Sequence, residues 1–374
     1  MGDRTVVHFG AGALGRGMVV PLLHESGYNV VLADTNAELN AALNRERGYR
    51  LAISDGDSVE RKIGIVEAVS PITEGDKLAA YMKQANVITT SVRRENLIHV
   101  ARTVAETWGH QDGEGRRIIC CENIEHVGRY FSGLLEQAAE DEGQHARLRR
   151  VAVPDTIVDR ICAANWPENT DVVSEVYHEC SVDAATLADT GIALIPSVER
   201  IEQHFSRKRL LLNTYADAIS FLAKAEDLTY LYEAARSEEI NRRIEPYMAL
   251  LQEVLKLEFG CDEAMLRSWR EKYKQRLGND GIPRELGTVA RNLKAKLAPG
   301  ERFVWPLLKL QERGIDIDQG AAFLAHLIRV GTRLEPDSDL LQSGLYELWN
   351  GSPAGRQLYE QVRAHLDSAN RPSP

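Results

Sequence analysis

The segment Val6-Val7-His8-Phe9-Gly10-Ala11-Gly12-Ala13-Leu14-Gly15-Arg16-Gly17 constrains the fold of this chain more than any other. A short apolar run enters a glycine loop, and a helical pattern follows directly. Gly10, Gly12 and Gly15 are spaced as G-x-G-x-x-G, with Ala11, Ala13 and Leu14 between them. Each glycine has a task. The first makes a tight turn, the second lets backbone approach a pyrophosphate, and the third lets helix pack close to strand. The helix that follows offers free N–H groups and a positive dipole end to phosphates. It ends at Gly27, and a second apolar run, Asn29 to Ala33, leads into Asp34. That acid lies 19 residues beyond Gly15, where it can accept from the adenosine ribose hydroxyls and repel a 2′-phosphate. The expected cofactor is therefore NAD rather than NADP. The bland alternative is a strand–turn–helix–strand unit that binds nothing.

The chain has 374 residues, enough for two domains with cores of their own. A net charge of −10 argues against nucleic acid or an anionic membrane as the main partner, but not against a local basic pocket. No stretch approaches the length of a membrane span, and no charged segment followed by an apolar one opens the chain. The five cysteines, Cys120, Cys121, Cys162, Cys180 and Cys261, form no C-x-x-C pair and read as reduced thiols of a cytoplasmic protein. The histidines show no metal-ligand spacing, so no metal is expected.

Strand-like and helix-like segments alternate through the first half. Helical patterns cover 37–47, 76–83, 97–108 and 124–139. Strand patterns cover 86–92 and 118–121, and a hairpin is expected from 49–53 and 62–66 around Asp55-Gly56-Asp57. The run 172–182 alternates like one antiparallel strand. This rhythm predicts a doubly wound, mostly parallel α/β sheet of Rossmann type over residues 1–190. From Gly191 the character shifts. Helical patterns cover 198–223, 228–259, 263–276, 281–296, 304–313, 318–333 and 340–348, so residues 191–374 are expected to form an all-α domain, with a frayed tail from Asn370.

A dinucleotide domain followed by a helical one points to an enzyme whose helical part supplies substrate groups. The segment Arg207-Lys208-Arg209-Leu210-Leu211-Leu212-Asn213-Thr214-Tyr215-Ala216 resembles the K-x-x-x-x-N-x-x-H signature of the polyol-specific long-chain dehydrogenase/reductase family. Other segments extend the resemblance across the chain: the glycine loop with Arg16-Gly17, Thr89-Thr90-Ser91-Val92, Cys121-Glu122-Asn123, Asp155 to Ile161, and Lys296 to Leu308. They are most similar to the mannitol-1-phosphate branch. One position departs: the signature histidine is Ala216. On an ideal α-helix, Asn213 lies about 140° and residue 216 about 80° round from Lys208.

The resemblance implies an NAD-dependent, metal-independent interconversion of a secondary alcohol and a ketone on a polyol or sugar phosphate. Lys208 would be the acid/base, its pKa lowered from the ordinary 10.4 or so by burial or by Arg207 and Arg209. Asn213 would donate to the developing alkoxide. Asp155 would orient Lys208 or a substrate hydroxyl, or else pair with Arg160. Arg160, Arg291 and Lys296, with Arg302, are candidate cations for a substrate anion. Thr90, Ser91, Glu122 and Asn123 would line the cofactor, although Asn123 could instead cap the helix after it. Arg93 and Arg94 would lean on phosphates or lie in a surface loop. The lesser alternative for Arg207-Lys208-Arg209 is a solvated helix face, and Trp305 is expected in the core. A small-molecule substrate is the only partner implied, with a monomer as the family expectation. Two other readings stay open. One is a dehydrogenase of the same fold for a specialised biosynthetic alcohol. The other is a non-catalytic sensor of NAD or a sugar phosphate.

Overall fold

The computed structural model describes residues 4–55, 57–336 and 340–368. The expected turn residue Gly56 and the expected frayed tail lie outside them. The chain divides into two compact units, 1–202 and 203–374. The division falls later than the 190/191 expected from helical patterning. Ile192 and Ile195 explain the difference, because both are fully buried in a core cluster of the first unit.

The first unit holds β1 (Thr5–Phe9), α1 (Val20–Glu25), β2 (Asn29–Ala33), α2 (Ala37–Glu46), β3 (Gly48–Asp55), β4 (Asp57–Gly64) and β5 (Glu67–Val69). It continues with α3 (Gly75–Gln84), β6 (Val87–Thr90), α4 (Leu97–Trp108), β7 (Arg117–Cys120), α5 (Val127–Ala138) and α6 (Glu142–Leu148). The remaining strands are β8 (Thr156–Asp159), β9 (Cys162–Ala164), β10 (Val172–Glu175), β11 (Glu179–Asp183) and β12 (Ser197–Val198).

The main sheet is parallel, in the order β5-β2-β1-β6-β7. Numbered among themselves, its strands run 3-2-1-4-5, the doubly wound order. Strand alternation builds two cores from one sheet. Val6, Val30, Ala68, Val87 and Ile119 face one cluster, and Val7, Val31, Val69, Ile88 and Ile118 face the other. Both faces are covered, which is why these strands read as nearly continuous apolar runs. The chain order reverses between β1 and β6, where ligands of such sheets bind.

The hairpin β3–β4 forms as expected, with Tyr49 opposite Ile63. The expected single strand over 172–182 does not. Its first half, β10, lies parallel to β3, and its second half, β11, pairs antiparallel with β8 in a different sheet. Local alternation carries no mark of the break and change of sheet between them.

The second unit is helical: α7 (Ile201–Arg207, entering from the first unit), a π-turn at Lys208–Asn213, α8 (Thr214–Lys224), α9 (Leu231–Arg236), α10 (Glu238–Phe259) and α11 (Glu263–Leu277). Then come α12 (Leu286–Val289), α13 (Leu293–Lys296), α14 (Trp305–Glu312), α15 (Asp318–Leu334), a π-turn at Leu340–Gly344, α16 (Leu345–Trp349) and α17 (Pro353–Ser368). Besides 340–348, which opens with the π-turn at Leu340–Gly344, three expected helices are subdivided. The first contains the π-turn at Lys208–Asn213. The second breaks at Ser237, whose hydroxyl accepts from Ile240 N–H and starts α10. The third breaks at Asn292, which adopts a left-handed φ of +56°. Among the described residues no helix is long and apolar enough to cross a membrane.

Candidate active site

The glycine loop joins β1 to a π-turn, Gly15–Val19, that runs into α1. Gly10 has φ +103°, and a Cβ there would lie 2.6 Å from Ser91 O. A Cβ on Gly15 would lie 2.2 Å from Gly10 O and 2.6 Å from His8 Nε2. A Cβ on Gly12 would meet nothing within 4 Å. The turn is therefore closed beneath Gly10 and Gly15 and open over Gly12, the arrangement a pyrophosphate needs. Asp34 stands at the end of β2, one oxygen 2.7 Å from Ala11 N and the other 2.9 Å from Asn36 N. Its carboxylate thus fixes the loop, and each oxygen keeps a further lone pair for a hydroxyl.

Three polar groups support the loop from below, and the sequence pattern did not mark the central one. His8 Nδ1 is 2.7 Å from Thr89 Oγ1, and its Nε2 is 3.0 Å from Ser91 Oγ. Ser91 donates in turn to Gly10 O at 3.1 Å. Burial pushes the His8 pKa down to about 3, so the ring is neutral. The available signal was a polar residue in the centre of an otherwise apolar parallel strand.

Arg16 is also buried, its Nε donating to Ala11 O at 2.7 Å and another guanidinium nitrogen to Thr170 O. Its cation lies over the Tyr49 ring, whose hydroxyl donates to Arg16 O. Arg16 thus ties the loop to the segment entering β10.

At the carboxyl ends of β6 and β7, Glu122 accepts from Thr90 Oγ1 at 2.8 Å and from Val92 N at 2.9 Å. Burial raises its pKa, while these two donors act in the opposite direction. Asn123 is exposed and does not cap the next helix. α5 begins at Val127 and is entered through His126, whose φ is +57°. Arg94 lies over the Tyr130 ring, and Arg93 has φ +72°.

Asp155 is held by neighbours that the sequence did not suggest. One oxygen accepts from Arg129 N at 3.1 Å, and the other lies 3.4 Å from His126 Nδ1. Glu202 Oε1 is also 3.4 Å from that nitrogen. The approach depends on Gly128, where a Cβ would lie 2.3 Å from Pro154 C. Arg160 donates instead to Glu175 O at 2.9 Å and Gly17 O at 3.0 Å, so the suggested Asp155–Arg160 pair does not form. No sequence pattern marked His126 as the partner of Asp155.

In the second unit, Lys208 opens the π-turn and is buried, while Asn213 closes it half-buried. The turn is defined by Thr214 N–H donating to Arg209 O, five residues back, and Thr214 Oγ1 donates to the same carbonyl at 2.8 Å. This corrects the ideal-helix geometry. Because i→i+5 bonding fits one residue more into the turn, Asn213 takes the angular place of an α-helix's fourth residue, about 40° round from Lys208 instead of about 140°. Ala216 follows three residues later on the adjoining face. Tyr215 is turned off that face, and its hydroxyl donates to Asn241 Oδ1 at 2.7 Å.

Neither flanking arginine is a solvated surface charge. Arg207 is buried, its guanidinium 3.9 Å from the Trp269 ring centroid, with Nε 3.2 Å from Tyr273 Oη. Arg209 lies 4.7 Å from the Trp305 centroid, so Trp305 stacks on a cation rather than filling the core. Lys296 Nζ is 2.8 Å from Asp217 Oδ1 and from Val289 O, and Arg302 reaches the other Asp217 oxygen at 3.1 Å. Both cations are therefore partnered by one buried carboxylate. Arg291 is exposed. Among the described residues no group of three or more His, Cys, Asp or Glu side chains is arranged to hold a metal ion.

A 3-2-1-4-5 parallel sheet, a glycine turn open only over Gly12, and an acid closing the second strand define a Rossmann-type dinucleotide domain. Residues 4–195 match the mannitol dehydrogenase Rossmann domain, and the chain belongs to the mannitol dehydrogenase family of oxidoreductases. A mannitol-1-phosphate 5-dehydrogenase of Bacillus velezensis is 28% identical over 310 residues, covering 82% of this chain and 83% of that protein. The mannitol-1-phosphate 5-dehydrogenase of Geobacillus stearothermophilus is 29% identical, covering 80% of each. Among solved structures, a substrate-free D-sorbitol dehydrogenase superposes with a TM-score of 0.78 at 15% identity, over 97% of this chain and 92% of that one. Pseudomonas fluorescens mannitol 2-dehydrogenase, solved with NAD and D-mannitol, gives 0.70 at 13% identity, over 98% and 93%. The two structural likenesses establish the fold.

Proposed function

We propose that the chain is an NAD-dependent oxidoreductase that interconverts a secondary alcohol and a ketone on a polyol or sugar phosphate. The observation that carries this reading is the glycine turn, closed beneath Gly10 and Gly15 and open over Gly12, in a chain of the mannitol dehydrogenase family. Gly10, Ala11, Gly12, Ala13, Leu14 and Gly15 would hold the pyrophosphate, and Asp34 the adenosine ribose. Thr90, Ser91, Glu122 and Asn123 end or follow the strands where the rest of the cofactor would lie. When bound, NAD supplies the site that takes up or returns the hydride.

The remaining chemistry falls to side chains. Lys208 takes the hydroxyl proton during oxidation and returns it during reduction. Asn213 donates its amide N–H to the oxygen as negative charge builds there, and the π-turn favours this pairing because it turns Asn213 toward the face of Lys208. Asp155 contacts a substrate hydroxyl with His126 behind it. Of the cations considered for a substrate anion, Arg160 and Lys296 carry the internal partners described above, and Arg291 presents an exposed side chain. The protein would act as a cytoplasmic monomer.

The mannitol-1-phosphate 5-dehydrogenases at 28–29% identity favour mannitol 1-phosphate with fructose 6-phosphate as the substrate pair. Ala216 favours a different alcohol of the same class, because a methyl group offers no hydrogen bond to a hydroxyl. The test is incubation with NAD or NADH and a panel of polyols, polyol phosphates and the corresponding ketones, followed by NADH absorbance. Turnover that falls at least a thousandfold in Lys208→Met supports the reading. NAD binding without turnover on any panel member overturns it in favour of a sensor.

A further inference from the structure

We infer that Trp269 and Trp305 are positioning residues that lock the register of the π-turn at Lys208–Asn213, an inference that rests on the reaction proposed above. A π-turn holds one residue more than the α-helix around it, and its i→i+5 bonds are the less favoured kind. Left to local forces, such a segment reverts to α geometry. Everything on one side of it then rotates by about 100° relative to the other. Asn213 would leave the face of Lys208, and Tyr215, seven residues on from Lys208, would take its place there.

The structure anchors both ends against that rotation. On the upstream side, the neighbours of Lys208 are each stacked on an indole: Arg207 on Trp269 of α11 at 3.9 Å, and Arg209 on Trp305 of α14 at 4.7 Å. Successive helical residues point about 100° apart, so two anchored neighbours fix the direction of Lys208 between them. Tyr273 Oη adds a hydrogen-bond partner for Arg207 Nε at 3.2 Å. On the downstream side, Tyr215 is tied to Asn241 of α10 at 2.7 Å, and Asp217 to Lys296 and Arg302. Thr214 reinforces the turn itself by giving both its N–H and its hydroxyl to Arg209 O. The clamp gives the Arg-Lys-Arg run a use other than surface charge. Its outer cations hold the helix, and the central one does chemistry.

The experiment combines Trp269→Leu and Trp305→Leu in the full chain. It reads amide hydrogen exchange at Thr214, kcat and KM with the best panel substrate, and NAD affinity. Removing either indole from beneath its guanidinium should speed Thr214 exchange roughly three- to thirtyfold. In the double variant kcat should fall at least tenfold, with NAD affinity within about twofold of the parent. Trp269→Phe with Trp305→Phe, which keeps a ring under each guanidinium, should restore most of both. If the leucine variant does not fold, Arg207→Met with Arg209→Met removes the same cation–π pairs and keeps the side-chain stems. Unchanged Thr214 exchange overturns the inference, as does a loss of kcat that the phenylalanine pair fails to restore. A parent without turnover, whose Thr214 exchange still responds to the substitutions, sinks the proposed reaction and leaves the register lock standing.

Discussion

Alanine at Gly12 and alanine at Gly15 should have opposite consequences although only three residues separate them. At Gly15 the new methyl lies 2.2 Å from Gly10 O, a backbone atom that no rotamer change can move. It also lies 2.6 Å from His8 Nε2 and 2.8 Å from Ser91 Oγ, between the partners of a 3.0 Å hydrogen bond. Overpacking of this kind costs about 1–3 kcal/mol. Opening a buried hydrogen bond costs about 1–3 kcal/mol more. A total of about 2–6 kcal/mol corresponds to a fall in Tm of roughly 4–24 °C for a unit of this size. At Gly12 a methyl meets nothing within 4 Å, and the backbone φ is not left-handed. Gly12→Ala should leave Tm within about 2 °C, since removing glycine freedom from the unfolded chain acts slightly in its favour. Its cost appears only when a pyrophosphate approaches, as a rise in the Kd for NADH of at least about tenfold, or 1.4 kcal/mol. Differential scanning fluorimetry and NADH fluorescence titration read the two quantities independently. A Gly12→Ala protein that binds NADH like the parent would show that the open side of the turn is not the phosphate site. An undiminished Tm in Gly15→Ala would refute the steric argument.

Three further outcomes follow from ionisable side chains. His8 is held near pKa 3 in the fold against 6.5 unfolded, so as pH drops below 6.5 the unfolded chain takes up a proton that the native state refuses. Stability is lost at about 1.4 kcal/mol per pH unit, about 3 kcal/mol by pH 4.5. In urea titrations His8→Gln should lose that much less than the parent between pH 7 and 4.5; parallel losses would mean the ring is not the cause. Asp217→Asn leaves Lys296 and Arg302 without their carboxylate and should cost about 3–5 kcal/mol in denaturant titration while NADH affinity stays unchanged. A loss below about 1 kcal/mol would demote the triad to a surface-like contact. Asp34→Asn removes the charge that disfavours a 2′-phosphate and should lower the preference for NAD over NADP at least about tenfold in paired Kd measurements. An unchanged preference would place the discrimination elsewhere.

Periodicity and spacing made the nucleotide half legible. Val6 and Val7 fall on opposite sheet faces because strand side chains alternate, and that is a local property. Gly10, Gly12, Gly15 and Asp34 were readable because a tight turn, a close approach and a strand-end acid each require a particular residue type at a fixed offset. The break of 172–182 into two sheets was not readable, since alternation is the same whichever sheet receives the strand. Neither was the link from Asp155 to His126, which joins residues 29 positions apart through a close approach at Gly128.

The sequence by itself supplied the candidates for the chemistry: a glycine turn for a dinucleotide, a lysine and an asparagine five positions apart, and an alanine three further on. The tertiary structure decided how they face one another. On an ideal α-helix Lys208 and Asn213 diverge by about 140°, and in the fold the extra residue of the π-turn reduces this to about 40°. Around that turn, Arg207 and Arg209 meet indole rings from α11 and α14, and Tyr215 meets Asn241 of α10. A helix's register depends on what grips it from outside, and those grips come from parts of the chain that no local pattern connects to it.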